Sequence, residues 1–172
     1  MRHHRSILRT SSDAYLSRTA EEFLASRFTW QIFITLTFER VPPEGKQLSL
    51  VFVVLRAIAS SHRIRFHRMI WILRRERGRK TERPHFHLLI TGLPGGALLP
   101  KTSELVCSLW QRVGGGSVEV KAVSSSPGVA GYVCKPSWLL PNDGRESAKF
   151  GSRCCELMLS RGAEDVLLRR RR

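Results

Sequence analysis

Between residues 30 and 123 the apolar residues switch repeatedly between a spacing of two and a spacing of three or four. That succession constrains the fold most. Side chains alternate faces along a strand and return to one face every 3.6 residues along a helix. "WQIFITLTF", residues 30 to 38, is rich in β-branched and aromatic types and reads as a strand. "VPPEG" breaks it. Leu48, Val51, Phe52, Leu55 and Ile58 then predict an amphipathic helix over 46–61. "FHRMIWILRRE", residues 66 to 76, reads as a second strand, followed by the charged turn "RGRKTERP". "HFHLLIT", residues 85 to 91, is a third strand, ended by "GLPGG". Leu105, Val106, Leu109, Trp110 and Val113 predict a helix over 101–113. "GGG" is a loop, and the alternating "SVEVKAV" is a fourth strand.

The order βαββαβ folds naturally as a split βαβ sheet. The expected class is therefore α+β, ferredoxin-like or RRM-like. Its antiparallel sheet carries both helices on one face and leaves the other open. The first and third strands are central, and the second flanks the third. Further on, Ser126 as N-cap and Pro127 at the first helical position open a short helix that Pro136 ends. A last helix is expected near 153–168. Residues 1–28 form a basic arm, 29–138 the folded domain, and 139–172 a C-terminal extension with a basic tail.

A formal charge of +15 on 172 residues repels itself in a compact fold, so a polyanionic partner is the natural reading. The first twenty residues are basic, Ser-rich and nearly acid-free, which suits a DNA-binding arm better than a transit peptide. Cys107, Cys134, Cys154 and Cys155 form no CxxC pair, and a reduced, intracellular protein is expected. The longest apolar run, "LSLVFVVL", is too short to span a membrane.

If Phe86, Leu88 and Ile90 pack on the helices, His85 and His87 share the open face, with Cα atoms roughly 7 Å apart. Two imidazoles alone hold a metal poorly. Glu76, expected on the same face of the second strand, supplies a third ligand. A carboxylate with two imidazoles suits Mn2+ or Mg2+ with positions left for water and phosphate, although Zn2+, Co2+ or Ni2+ also fit the donor set. Tyr132 and Lys135 in "GYVCKP" lie three apart, on one face of the short helix. A phenol beside a cation and a metal can attack phosphorus.

"FITLTF", "HFHLLI" and "YVCK", in that order, resemble the three motifs of HUH endonucleases. The likeness is to the single-tyrosine replication initiators (Rep proteins) of rolling-circle replication, in small single-stranded DNA phages, viruses and plasmids. It spans about residues 30 to 136 and makes 29–138 the endonuclease domain. By resemblance, His85 and His87 are the metal histidines and Glu76 the additional acidic ligand. Tyr132 is the nucleophile on a short catalytic helix, and Lys135 is its basic partner. Thr35 and Thr37 belong to the first motif, with a structural or DNA-facing role. The implied activity is site-specific nicking and joining of single-stranded DNA through a 5′-phosphotyrosyl intermediate. Arg74, Arg75 and Arg83 are expected to meet phosphates.

The implied partners are a single-stranded replication origin and, because no GxxxxGK[ST] loop is present, a separate host helicase together with a DNA polymerase. The implied setting is the bacterial cytoplasm before the eukaryotic nucleus. A single-strand transposase of the same HUH class is the neighbouring alternative. A non-catalytic RRM-like nucleic-acid-binding protein is the alternative from another class.

Overall fold

The computed structural model describes residues 7–8, 27–77, 83–94, 99–123 and 156–163. It is an α+β fold built on one antiparallel sheet. The strands are β1 (Ile7–Leu8), β2 (Ile32–Phe38), β3 (Ile70–Arg77), β4 (Pro84–Thr91), β5 (Gly115–Ala122) and β6 (Glu156–Leu159). Their order across the sheet is β1-β6-β3-β4-β2-β5. Helices α1 (Glu44–Ser61) and α2 (Leu99–Arg112) are the crossovers from β2 to β3 and from β4 to β5. The expected arrangement of four strands is present. β2 and β4 lie side by side in the centre, and β3 flanks β4.

Alternation decides which face is buried under the helices. Ile32, Ile34, Leu36 and Phe38 of β2 point inward, with Phe86, Leu88 and Ile90 of β4 and Trp71 and Leu73 of β3. Val51, Val54, Leu55 and Ile58 of α1, and Val106 and Trp110 of α2, close this core. Burying each such side chain contributes about 1.5–3 kcal/mol. α1 begins just after Pro42 and Pro43, with Glu44 in its first turn, where a carboxylate favours the positive end of the helix dipole. α2 ends at a glycine run. Gly114 takes φ 82°, a conformation that suits glycine. A Cβ on Gly115 would overlap the Trp110 indole, so the second glycine makes room for the ring.

Three expectations change. The strand read from residue 66 begins as a 3-10 turn, Phe66–Arg68, and becomes extended only from Ile70. Of the helix expected near 153–168, residues 156–159 form instead the strand β6 and 161–163 are helical, while the rest of that range lies outside the described residues. The outer edge of β3 offers unpaired backbone groups, and pairing with them overrides local helical preference. The sheet therefore has six strands rather than four. β1, from the N-terminal arm, pairs with β6 from the C-terminal extension.

The face opposite the helices is also less open than expected. Ile72 and Leu89 are fully buried there. The Ser160–Ala163 turn packs at its edge, where the Ser160 amide donates to the Trp71 carbonyl and Gly162 lies against Ile70. The short helix expected at 126–136 lies outside the described residues. Among them, no helix is long and apolar enough to cross a membrane.

Candidate metal centre

Register builds the site as two rows of side chains across three strands. In the first row, Thr37 of β2 pairs with His85 of β4, and His85 with Glu76 of β3. In the second, Thr35 pairs with His87, and His87 with Arg74. Residues directly opposite have Cβ atoms roughly 5 Å apart, within reach of one another. All six lie on the face away from the helices, as alternation requires. The expectation that Glu76, His85 and His87 share a face therefore holds in the structure.

Within the rows the contacts are specific. Thr35 Oγ1 lies 3.1 Å from His87 Nδ1. The Phe33 ring stacks on the His87 ring, 10° from parallel, with centroids 5.8 Å apart. On the other side of the imidazole, His87 Nε2 stands 3.6 Å from Glu76 Oε2. That separation is too long for a hydrogen bond. Glu76 Oε1 is 2.8 Å from Arg74 Nε. Thr37 Oγ1 is 2.7 Å from Ser117 Oγ of β5.

The electrostatics follow from this packing. Burial alone would raise the Glu76 carboxyl. The His87 ring, Arg74 and the His85 charge outweigh it and hold the group below the usual carboxylate range. Burial, then the neighbouring His87, pushes His85 below the ordinary imidazole value, against the pull of Glu76. At neutral pH the pair is thus an ionised carboxylate beside a neutral imidazole, the protonation states a divalent cation needs.

As placed, no three His, Cys, Asp or Glu side chains among the described residues converge on one point. The donor set nonetheless fits a cation. Two ligands at about 2.1 Å from one ion, about 110–120° apart, are separated by about 3.4–3.6 Å. The Nε2–Oε2 separation of 3.6 Å matches that spacing. His85 is the cross-strand neighbour of Glu76 on the same face.

The remaining expected residues divide. Arg83 is exposed just before β4. Arg74 lies on the site face but is 3% exposed and engaged by Glu76, so its charge serves the carboxylate. Arg75 corrects the expectation of a DNA contact from this face. It points to the helical side, where its Nη1 donates to Glu44 Oε1 at 2.6 Å, because neighbouring strand residues alternate. Tyr132 and Lys135 lie outside the described residues.

Sequence reasoning missed four contributors. Phe33 and the Thr35–His87 contact were hidden because they depend on cross-strand register. Ser117 was hidden for the same reason. Glu119, opposite Thr35 on β5, places a further exposed carboxylate on this face. Comparison of the chain with protein-family models, with curated proteins and with solved structures finds no match, so the reading of this centre rests on its own residues.

Proposed function

We propose that the chain is a metal-dependent, single-tyrosine nickase and strand transferase of the HUH type, acting on single-stranded DNA to start rolling-circle replication. One observation carries the proposal: His85, His87 and Glu76 share one face of adjacent antiparallel strands in a chain of charge +15. The ordered resemblance of "FITLTF", "HFHLLI" and "YVCK" adds the nucleophile.

In this reading His85, His87 and Glu76 hold Mn2+ or Mg2+, which when bound polarises the scissile phosphate. The Tyr132 oxygen attacks phosphorus in line. The bond from phosphorus to the 3′ oxygen breaks, and that oxygen leaves as a 3′-hydroxyl after gaining a proton. The 5′ phosphate stays on Tyr132. The 3′-hydroxyl can prime synthesis, and its attack on the phosphotyrosyl bond rejoins the strand. Lys135 offsets charge developing on the phosphate. A non-catalytic RRM-like role is less well supported. Such sheets stack bases on exposed aromatic rings, whereas Phe33 on this face is buried against His87.

The test is incubation with labelled single-stranded DNA and Mn2+. A denaturation-resistant adduct mapping to Tyr132, lost in Tyr132→Phe and retained in Tyr15→Phe, is the expected result. Adduct at another residue, or free 5′-phosphate products from Tyr132→Phe, would reject the reading.

A further inference from the structure

The turn from α1 to β3, "HRIRFHR", carries a concentration of positive charge that the metal centre does not use. Arg63, Arg65, His67 and Arg68 are exposed, while Ile64 and Phe66 between them pack against the core. α2 brings in a further cation from far along the chain. His62 Nε2 is 2.9 Å from Thr102 Oγ1, and the neighbouring Lys101 charge acts on the His62 ring. Among the described residues no carboxylate pairs with Arg63, Arg65 or Arg68.

Arg63 adds an independent observation. The Arg63 amide donates to the Ser60 carbonyl and the Ile64 amide to the Ala59 carbonyl, the paired bonds of a Schellman cap. Arg63 is the cap residue that must turn left-handed, and it does so at φ 54°. Glycine is the usual occupant because any Cβ is strained there. Arg63 is the one non-glycine residue of positive φ among those described. A strained, exposed arginine where glycine is easier argues that its side chain has a use.

We propose that this turn is a second nucleic-acid surface, which takes the phosphate backbone of duplex DNA. Its exposed groups are forked guanidiniums suited to phosphates. Its one Phe, Tyr or Trp ring, Phe66, is occupied by Phe52 and Trp71, with centroids 6.4 Å from each, so beside three exposed guanidiniums only the small His67 imidazole faces solvent as a ring. The turn lies at the start of β3 and Glu76 near its end, six residues or about 20 Å along the strand. That distance corresponds to about six phosphates on one strand of a duplex. The surface would therefore grip the duplex flanking a strand lying at His85 and His87. The flanking geometry rests on the proposed nickase reading, whereas the duplex contact does not.

The test measures fluorescence anisotropy of a mixed-sequence duplex of about 20 base pairs across a salt series. For Arg63→Gly/Arg65→Gln/Arg68→Gln, affinity should fall at least about tenfold at about 0.1 M salt, and the log–log salt slope by about 2.7, or 0.9 per contact. Arg40→Gln/Lys46→Gln/Arg112→Gln removes equal charge elsewhere and should change the slope by less than about 1. Arg63→Gly alone should melt about 2–4 °C higher, yet bind the duplex more weakly. Wild-type duplex binding by the triple variant or by Arg63→Gly overturns the proposal, as does an equal loss in the control variant. Duplex affinity lost as expected, in a protein whose wild type forms no tyrosyl adduct, supports this surface and rejects the nickase reading.

Discussion

Thr35 Oγ1 lies 3.1 Å from His87 Nδ1, across the β2–β4 pair at the centre of the sheet. A neutral imidazole has one protonated nitrogen and one lone pair. When Nδ1–H donates to the threonine oxygen, Nε2 faces Glu76 with its lone pair free. Such partners typically change metal affinity 10–100-fold. Thr35→Val keeps the shape and removes the acceptor, so Mn2+ affinity read by electron paramagnetic resonance should fall by about that factor. Thr35→Ser should keep it, and His87→Ala should lose binding altogether. Equal affinity in Thr35→Val and wild type would remove Thr35 from this role.

The ladder between β2 and β5 is irregular between Leu36 and Phe38, and Trp110 Nε1 donates to the Thr37 carbonyl there at 2.6 Å. Bulges re-aim neighbouring side chains, and Thr37 stands beside His85. Trp110→Phe removes this hydrogen bond and leaves a cavity, which together should cost about 2–4 kcal/mol in urea denaturation. Gly115→Ala pushes a methyl against the same indole and should cost about 1–3 kcal/mol. In the Trp110→Phe background the alanine should cost less, since the smaller ring leaves room. Strict additivity of the two would contradict the packing described.

His62 provides a pH dependence remote from the metal centre. Burial, then the Lys101 charge, lowers its pKa below the ordinary value of 6.5. The unfolded chain therefore takes up this proton at a higher pH than the folded chain does. The stabilisation from a neutral His62 is full above about pH 6.5 and is lost as pH falls below it, toward the lowered folded value. His62→Gln removes the titration and can still meet Thr102. Its stability should fall less than that of wild type between about pH 7.5 and 5.5, by urea denaturation at each pH. Parallel loss in both proteins would show that His62 does not contribute.

The central fold was legible because its two periods are clean. Ile32, Ile34, Leu36 and Phe38 sit every second residue, and Val51, Leu55 and Ile58 lie on one helical stripe. The shared face of Glu76, His85 and His87 followed from the same alternation. β6 was not legible. Its partner β3 lies some eighty residues earlier, and no local pattern reports an edge that far away. The burial of Ile72 and Leu89 was hidden as well, since alternation fixes which face a side chain takes but not whether that face is covered. Thr35 could be placed on its strand from the sequence, but its contact with His87 needs the register. Arg75 was misplaced for a reason the sequence already contained: consecutive strand residues cannot share a face, so Arg74 and Arg75 cannot both meet one ligand.

That alternation separates Arg83 from Arg75 as functional groups. Arg83 is exposed at the entry to β4, two residues before His85, where a strand crossing the site would pass. Arg75 is nearly buried on the helical side, with Glu44 at the start of α1 as its partner. Arg83→Gln should therefore weaken binding of a single-stranded oligonucleotide and lower the log–log salt slope by about 0.7, the value for one phosphate contact. Its melting temperature should not change. Arg75→Gln should do the reverse. It strips the ion pair and the buried stem of the side chain, so the protein should melt lower while the salt slope stays at the wild-type value. Glu44→Gln should lower melting less, because Glu44 is exposed and water can replace the lost charge contact. A reduced salt slope in Arg75→Gln, measured below its melting transition, would place Arg75 on the DNA and contradict the face assigned to it.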